Sequence, residues 1–116
     1  LFRSDEIAFP LKLKISISDR LKISKDDKIG EFDFDKLHFP LTLRAWRAGD
    51  KMLPLGMSGY KKVSDILIDN KIPLPEKSHV YVLESDGELV WLIGLVIGEK
   101  FKVDRDTQKV WRALIR

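Results

Sequence analysis

Between Arg44 and Lys62 the sequence reads RAWRAGDKMLPLGMSGYKK, with five basic side chains, three glycines and two methionines in nineteen residues. A glycine turn lets an anion approach backbone amides closely, and the first amides of a helix point outward unsatisfied. Gly56, Gly59, Lys61 and Lys62 stand at the entry to a stretch with helical periodicity, so their spacing suits a bound phosphate neutralised by lysine. Arg44, Arg47 and Lys51 would reach further phosphates from the end of the preceding strand. Lysine at a helix start opposes the macrodipole, which favours Asp or Glu there. An anion supplied from outside would explain it. A plainer reading stands beside this one: Gly56 and Gly59 only turn the chain, and the lysines are solvated, with Lys61 paired to Asp65 one turn on. Trp46 shares a strand face with Arg44. Together they suit stacking on an exposed base or ribose beside a phosphate contact, or a cation–π pair at the edge of the core.

Other chemistry finds little support. The chain has no Cys, which removes disulfides, thiolate metal sites and cysteine nucleophiles and fits a reducing cytoplasm. His38 and His79 lie far apart, no short-spaced His pair marks a zinc motif, and both read as structural. Neither a P-loop nor a dinucleotide-binding glycine pattern occurs. Asp50, Asp65 and Asp69 are the acids nearest a cation site, but Asp65 and Asp69 sit one turn apart among lysines and read as a solvated face. Charge gives the stronger signal. Residues 41–80 hold seven basic and four acidic side chains, a net +3 that equals the charge of all 116 residues. Such a focus points to an anionic partner, nucleic acid being the usual one.

The elements that must position these groups follow from periodicity. Leu11, Leu13, Ile15 and Ile17 alternate with Lys12, Lys14, Ser16 and Ser18, the pattern of a strand with one wet face. A polar stretch over 19–29 follows, then strands at Gly30–Phe34 and, after a connection at Leu37–Pro40, Leu41–Trp46. Pro54, Gly56 and Gly59 make the next ten residues an ordered loop. Val63, Ile66 and Leu67 mark a helix over 60–70, with Ser58 as a candidate cap and Asn70 at its end, and Pro73 and Pro75 prevent its continuation. His79–Glu84 and Glu88–Ile93 flank Ser85-Asp86-Gly87, a hairpin signal. Leu89–Val96 is apolar on both faces and belongs in the middle of a sheet; the longest apolar run, Leu89–Ile97, is about half of a membrane span and so a strand, not a membrane helix. Lys100–Val103 and Lys109–Ile115 complete the set. Trp91 and Trp111 read as core, and Met52 and Met57 as gap-fillers. One main helix against many strands, in antiparallel or mixed sheets, gives an α+β fold. The division expected is a lead-in strand and connecting segment over 1–29 and a domain over 30–116. Because residue 1 is Leu, the chain is expected to be a fragment of a longer protein.

Several of these motifs occur in succession: R..R.GD at Arg44, Arg47, Gly49 and Asp50; PLGM.G.KK from Pro54 to Lys62; D.KIP at Asp69 to Pro73; VWLIG at Val90 to Gly94. In that order they resemble the C-terminal domain of bacterial tRNA(Ile)-lysidine synthases, in a Bacteroidetes-like version, over roughly residues 30–111. The resemblance implies a layered α+β fold like a module of the phenylalanyl-tRNA synthetase β chain. It also implies a parent ligase that uses ATP, with a divalent cation, to attach lysine to the wobble cytidine of isoleucine tRNA. The catalytic SGG.DS loop of such parents is absent from these residues, so the fragment is not expected to be catalytic alone. Its implied role is to grip the acceptor-stem region of the tRNA in the cytoplasm, with the parent's catalytic domain as its other partner and no membrane. Arg44, Arg47, Lys51, Lys61 and Lys62 become phosphate or ribose contacts, Gly56 and Gly59 shape the loop, and Lys71 and Lys77 extend the patch. Asp50 orients the loop or a neighbouring arginine. Val96 stands where relatives often carry a basic residue, which implies a narrower patch. The alternative is a structural or dimerisation module, forming a homodimer or placing the catalytic domain without touching RNA.

Overall fold

The computed structural model describes the backbone of residues 3–7 and residues 11–19, 26 and 28–116 in full. In chain order the strands are β1 (Arg3–Ile7), β2 (Leu13–Asp19), β3 (Ile29–Asp33), β4 (Leu41–Ala45), β5 (Lys51–Met52), β6 (Lys61–Lys62), β7 (Tyr81–Ser85), β8 (Glu88–Leu92), β9 (Val96–Ile97) and β10 (Lys109–Ile115). Helices α1 (Val63–Asp69) and α2 (Leu74–Lys77) lie between β6 and β7. Two four-stranded sheets, ordered β1-β2-β10-β3 and β4-β7-β8-β9, and the small β5–β6 ribbon contain only antiparallel pairs among the described residues. The fold is α+β with one main helix, as expected.

Alternation decides which faces meet. Leu13 is fully buried while Lys12 and Lys14 are exposed. It joins Phe32, Leu37, Leu83, Val90, Trp91, Phe101, Trp111 and Ala113 in a core between the two large sheets. The opposite face of the second sheet packs Val82, Leu89 and Leu92 against Met52, Val63, Ile66 and Leu67. The order of layers is therefore sheet, sheet, helix. Trp91 lies edge-on to Phe32 at 5.8 Å between ring centroids, and Gly30 is glycine because a Cβ there would come within 2.9 Å of both rings. Leu83 pairs with Trp91 and Glu84 with Leu89, so Val90 is an extra residue in β8. That bulge turns Val90 and Trp91 both toward the first core.

β2 lies beside β10 along seven register pairs, and β3 lies on the other side of β10. The first sheet thus runs across the expected division between residues 29 and 30. The hairpin at 85–88 closes through Asp86 and Gly87, both at positive φ (50° and 83°), the conformation that Asp-Gly favours.

Three expectations need correction. The helix begins at Val63, not at residue 60, because Lys61 and Lys62 are drawn into β6 opposite β5. Ser58 does not cap it: α1 has no side-chain cap, and the Val63 N–H donates to the Asp50 carbonyl at 2.9 Å instead. Pro73 and Pro75 do stop α1, which ends at Asp69, although Pro75 then falls in the first turn of the short α2, where a missing N–H costs nothing. Lys100–Val103 is not a strand; a 3-10 turn at Glu99–Phe101 occupies it, with one bridge from Lys102 to Phe32. The run Leu89–Val96 is central but broken, because the chain turns at Gly94 (φ 83°) and returns as β9. No helix among the described residues is long and apolar enough to cross a membrane.

Candidate nucleic-acid interface

The basic stretch folds into a hairpin. β5 and β6 pair Lys51 with Lys62 and Met52 with Lys61, and residues 53–60 form the loop between them. Side chains directly opposite on antiparallel strands share a face, and like charges there repel. Strand alternation separates the two consecutive lysines. Lys61 turns to the side of α1 and pairs with Asp69, not with Asp65. Lys62 turns outward beside Lys51 and has no acidic partner among the described residues. Lys51 lies over the Tyr60 ring, 5.8 Å from its centroid.

A network centred on Asp50 fixes the ribbon to β4. The Arg44 guanidinium donates to both Asp50 oxygens at 2.9 Å and, through Nε, to Glu84 at 2.9 Å. The Arg47 N–H donates to Asp50 Oδ2 at 2.8 Å, while the Asp50 N–H closes the turn onto the Arg47 carbonyl at 3.1 Å. Asp50 hydrogen bonding raises the pKa of Arg44, outweighing its partial desolvation, and Glu84 adds to the effect. Desolvation would raise Asp50, but the Arg44 guanidinium and Arg47 N–H outweigh it and hold the carboxyl below its ordinary range. Arg44 is thus committed inside the protein, whereas the Arg47 side chain is exposed with no ion pair among the described residues.

The glycine loop is also anchored. Gly56 adopts φ 81°, and its N–H donates to Glu99 Oε1 at 2.8 Å, so a carboxylate already occupies that amide. Glu99 also takes Lys102 at 2.5 Å, and these two contacts, Lys102 first, lower its pKa. Gly59 is exposed in the loop. Met52 is fully buried as expected, but Met57 is 49% exposed and fills no gap.

Trp46 is half-buried against the helix-side core and donates from Nε1 to the Lys77 carbonyl at 2.7 Å. Cation–ring contacts among the described residues are Lys51 and Lys100 on Tyr60 and Lys109 on Phe34, so Arg44 and Trp46 do not form one. Lys71 sits just beyond α1 at φ 55°, its N–H bonded to the Ile68 carbonyl and that of Ile72 to Leu67, a Schellman ending with lysine where glycine is usual. Lys77 ends α2. The structure therefore brings Lys51, Lys62 and the Gly56–Gly59 loop onto one ribbon, with Arg47 in the turn that leads into it. Lys71 and Lys77 lie on the α1–α2 side. Glu84 and Glu99, which hold Arg44 and the Gly56 amide, carried no sequence signal, because they act across 40 and 43 residues; Asp69 was singled out, but its pairing with Lys61 was not.

The fold and this ribbon define a small layered α+β domain with a basic hairpin. The chain belongs to the family of TilS substrate C-terminal domains, which matches residues 41–114. It is 40% identical over 97 residues to the tRNA(Ile)-lysidine synthase of Parabacteroides distasonis, covering 84% of this chain and 22% of that protein. The chain spans about a fifth of the length of the first of the curated relatives it matches. Two solved structures share the fold. The crystal structure of a TilS C-terminal domain superposes with a TM-score of 0.80 at 24% identity, over 95% of this chain and 88% of that one. An N-terminal fragment of the phenylalanyl-tRNA synthetase β-subunit from Pyrococcus horikoshii gives 0.67 at 20% identity, over 85% and 37%.

Proposed function

We propose that the chain is the tRNA-gripping C-terminal module of a cytoplasmic tRNA(Ile)-lysidine synthase, whose other part uses ATP and a divalent cation to join lysine to the wobble cytidine. Family membership supports the parent. One observation supports the grip: Lys51 and Lys62 face each other across β5–β6, and Lys62 forms no ion pair among the described residues. A cross-strand pair of ammoniums costs stability, and phosphate oxygens repay that cost. Arg47 joins them as a third cation. Asp50 and Arg44 act through position, holding the Arg47 turn and the base of the ribbon, and Gly56 and Gly59 let the loop fold back beneath Glu99 and Tyr60. Lys61 serves mainly the ribbon and α1, while Lys71 and Lys77 meet more distant phosphates. Trp46 braces α2 and is not a stacking platform. ATP and lysine are handled by the parent's adenylating domain.

Salt dependence of affinity for isoleucine tRNA tests this. Each phosphate neutralised adds about 0.7–0.9 to the slope of log Kobs against log salt. Lys51→Ala/Lys62→Ala is expected to flatten the slope by about two phosphates, roughly 1.5, and Lys61→Ala to flatten it far less. Equal slopes in the wild type and the double variant would sink the reading.

A second reading, a structural or dimerisation module, draws on the cleft of about 470 Å³ between the large sheets, lined by Ile15, Ile17, Phe39, Leu41 and Leu43. It requires salt-insensitive self-association in sedimentation equilibrium.

A further inference from the structure

The two large sheets are out of step by one strand. Ile15 and Ile17 of β2 face Leu41 and Leu43 of β4 across the cleft, and Trp91 of β8 meets Phe32 of β3. With the sheets ordered β1-β2-β10-β3 and β4-β7-β8-β9, β1 therefore overhangs β4 at one side and β9 overhangs β3 at the other. At the β9 side the chain fills the step itself: Lys102 bridges Phe32, and the turn at Glu99–Phe101 buries Phe101. At the β1 side, no described strand pairs with the free edge of β4.

That edge is open where the cleft is. The Trp46 N–H donates to the Val80 carbonyl at 3.1 Å, and hydrogen-bonded positions alternate along an antiparallel pair. Arg44 and Thr42 thus bond to β7, while the N–H and C=O groups of Leu41 and Leu43 point away from it. The Ala45 carbonyl, next along the edge, already accepts from the Arg44 guanidinium at 3.1 Å. Leu41 and Leu43 also send half-buried side chains into the cleft of about 470 Å³. Buried Leu83 and Trp111 form its floor, and Phe34 and Phe39, 5.3 Å apart between ring centroids, wall its end.

Unpaired backbone beside an apolar cleft suits an added strand, whose main chain hydrogen-bonds to the edge while every second side chain enters the pocket. A second copy fits poorly. Paired antiparallel through its own β4, it would carry its first sheet into the place that β1 holds. A lone strand brings no second layer to collide. The stretch matched in the Parabacteroides distasonis synthase is 22% of that protein, so a synthase of that length has chain to spare, and a tethered strand binds at high effective concentration.

Resting on the reading that this chain is part of a longer synthase, we infer that a single extended segment from elsewhere in that protein, apolar at alternate positions, adds to β4 and fills the cleft. Its backbone pairs with Leu41 and Leu43, and its apolar side chains pack on Ile15, Ile17 and Phe39. The added strand lies opposite β1 and brings the two sheets level.

Hydrogen–deuterium exchange in this chain and in the full-length synthase tests it. The Leu41 and Leu43 amides are expected to exchange at least about tenfold more slowly in the full-length protein, as a free edge becomes a paired one, with Thr42 and Arg44 slow in both. Proline at an outward N–H leaves pairing on the other side intact, so Leu43→Pro should return Leu41 to its rate in this chain. Where Leu43→Pro speeds Thr42 and Arg44 as well, Leu41→Pro, at the first position of the strand, is read at Leu43 instead. Equal rates in the two proteins, fast or slow, overturn the inference. So does slowing that grows with protein concentration, which belongs to a second copy, or slowing that survives the proline variant. None of these outcomes bears on the RNA-binding reading, which stands or falls by the salt slope.

Discussion

Asp50 shows how one side chain can be both electrostatic hub and backbone clamp. It receives Arg44 through two hydrogen bonds and the Arg47 N–H through another, while its carbonyl accepts from the first amide of α1. Its carboxyl pKa is lowered in the fold, so the stability it contributes is present above its ordinary value of about 3.8 and is lost as pH falls through the lower, folded value. Asp50→Asn is therefore expected to lower the urea midpoint at pH 7 and to converge on the wild type in more acidic solution. Midpoints measured at pH 7 and at about pH 2.5 check this; a gap that does not narrow would contradict it. Asp50 as the orienter of a neighbouring arginine was legible from R..R.GD. The identity of that arginine was not, because alternation in β4 sends Arg44 toward Glu84, a residue forty positions away that no local pattern reveals.

At the scale of elements, the entry and exit of α1 carry the information. The apolar spacing of Val63, Ile66 and Leu67 was enough to find the helix and its buried face. Its start was misplaced because two lysines with adequate helix propensity are extended by pairing with β5, a tertiary effect on a two-residue strand. At the exit, Lys71 takes a left-handed conformation in a Schellman motif. Glycine would hold that conformation without the Cβ penalty. Lys71→Gly is expected to stabilise the fold by about 0.5–1 kcal/mol while weakening isoleucine tRNA binding. Paired measurements of urea midpoint and affinity check it; a loss of stability would show that the lysine stem contributes packing beyond its charge.

At the scale of the molecule, the first and last parts of the sequence share one sheet, with β10 paired to β2 on one side and β3 on the other. Removing residues 1–29 would strip a strand from β10 and take away Leu13, which is wholly buried in the inter-sheet core. A chain of residues 30–116 is therefore expected to lose cooperative thermal unfolding, monitored by near-ultraviolet circular dichroism; a sharp transition near that of the full chain would contradict this account. β2 was legible from period-two alternation in Leu13–Ile17 and β10 from its apolar residues, whereas β1 was not identified. Their adjacency was not, since partners some ninety residues apart leave no trace in a single sequence. The focus of positive charge was legible from composition alone, because the whole excess falls within residues 41–80. Which of those lysines are exposed depended on the register of β5 and β6.

The most direct measurement is the change in backbone amide resonances as isoleucine tRNA is added to the labelled chain. The account predicts that the largest shifts fall on Arg47, Lys51, the 55–59 loop and Lys62, with smaller shifts at Lys71. Shifts concentrated on β1, β2 and β10 with the β5–β6 ribbon unmoved would contradict it.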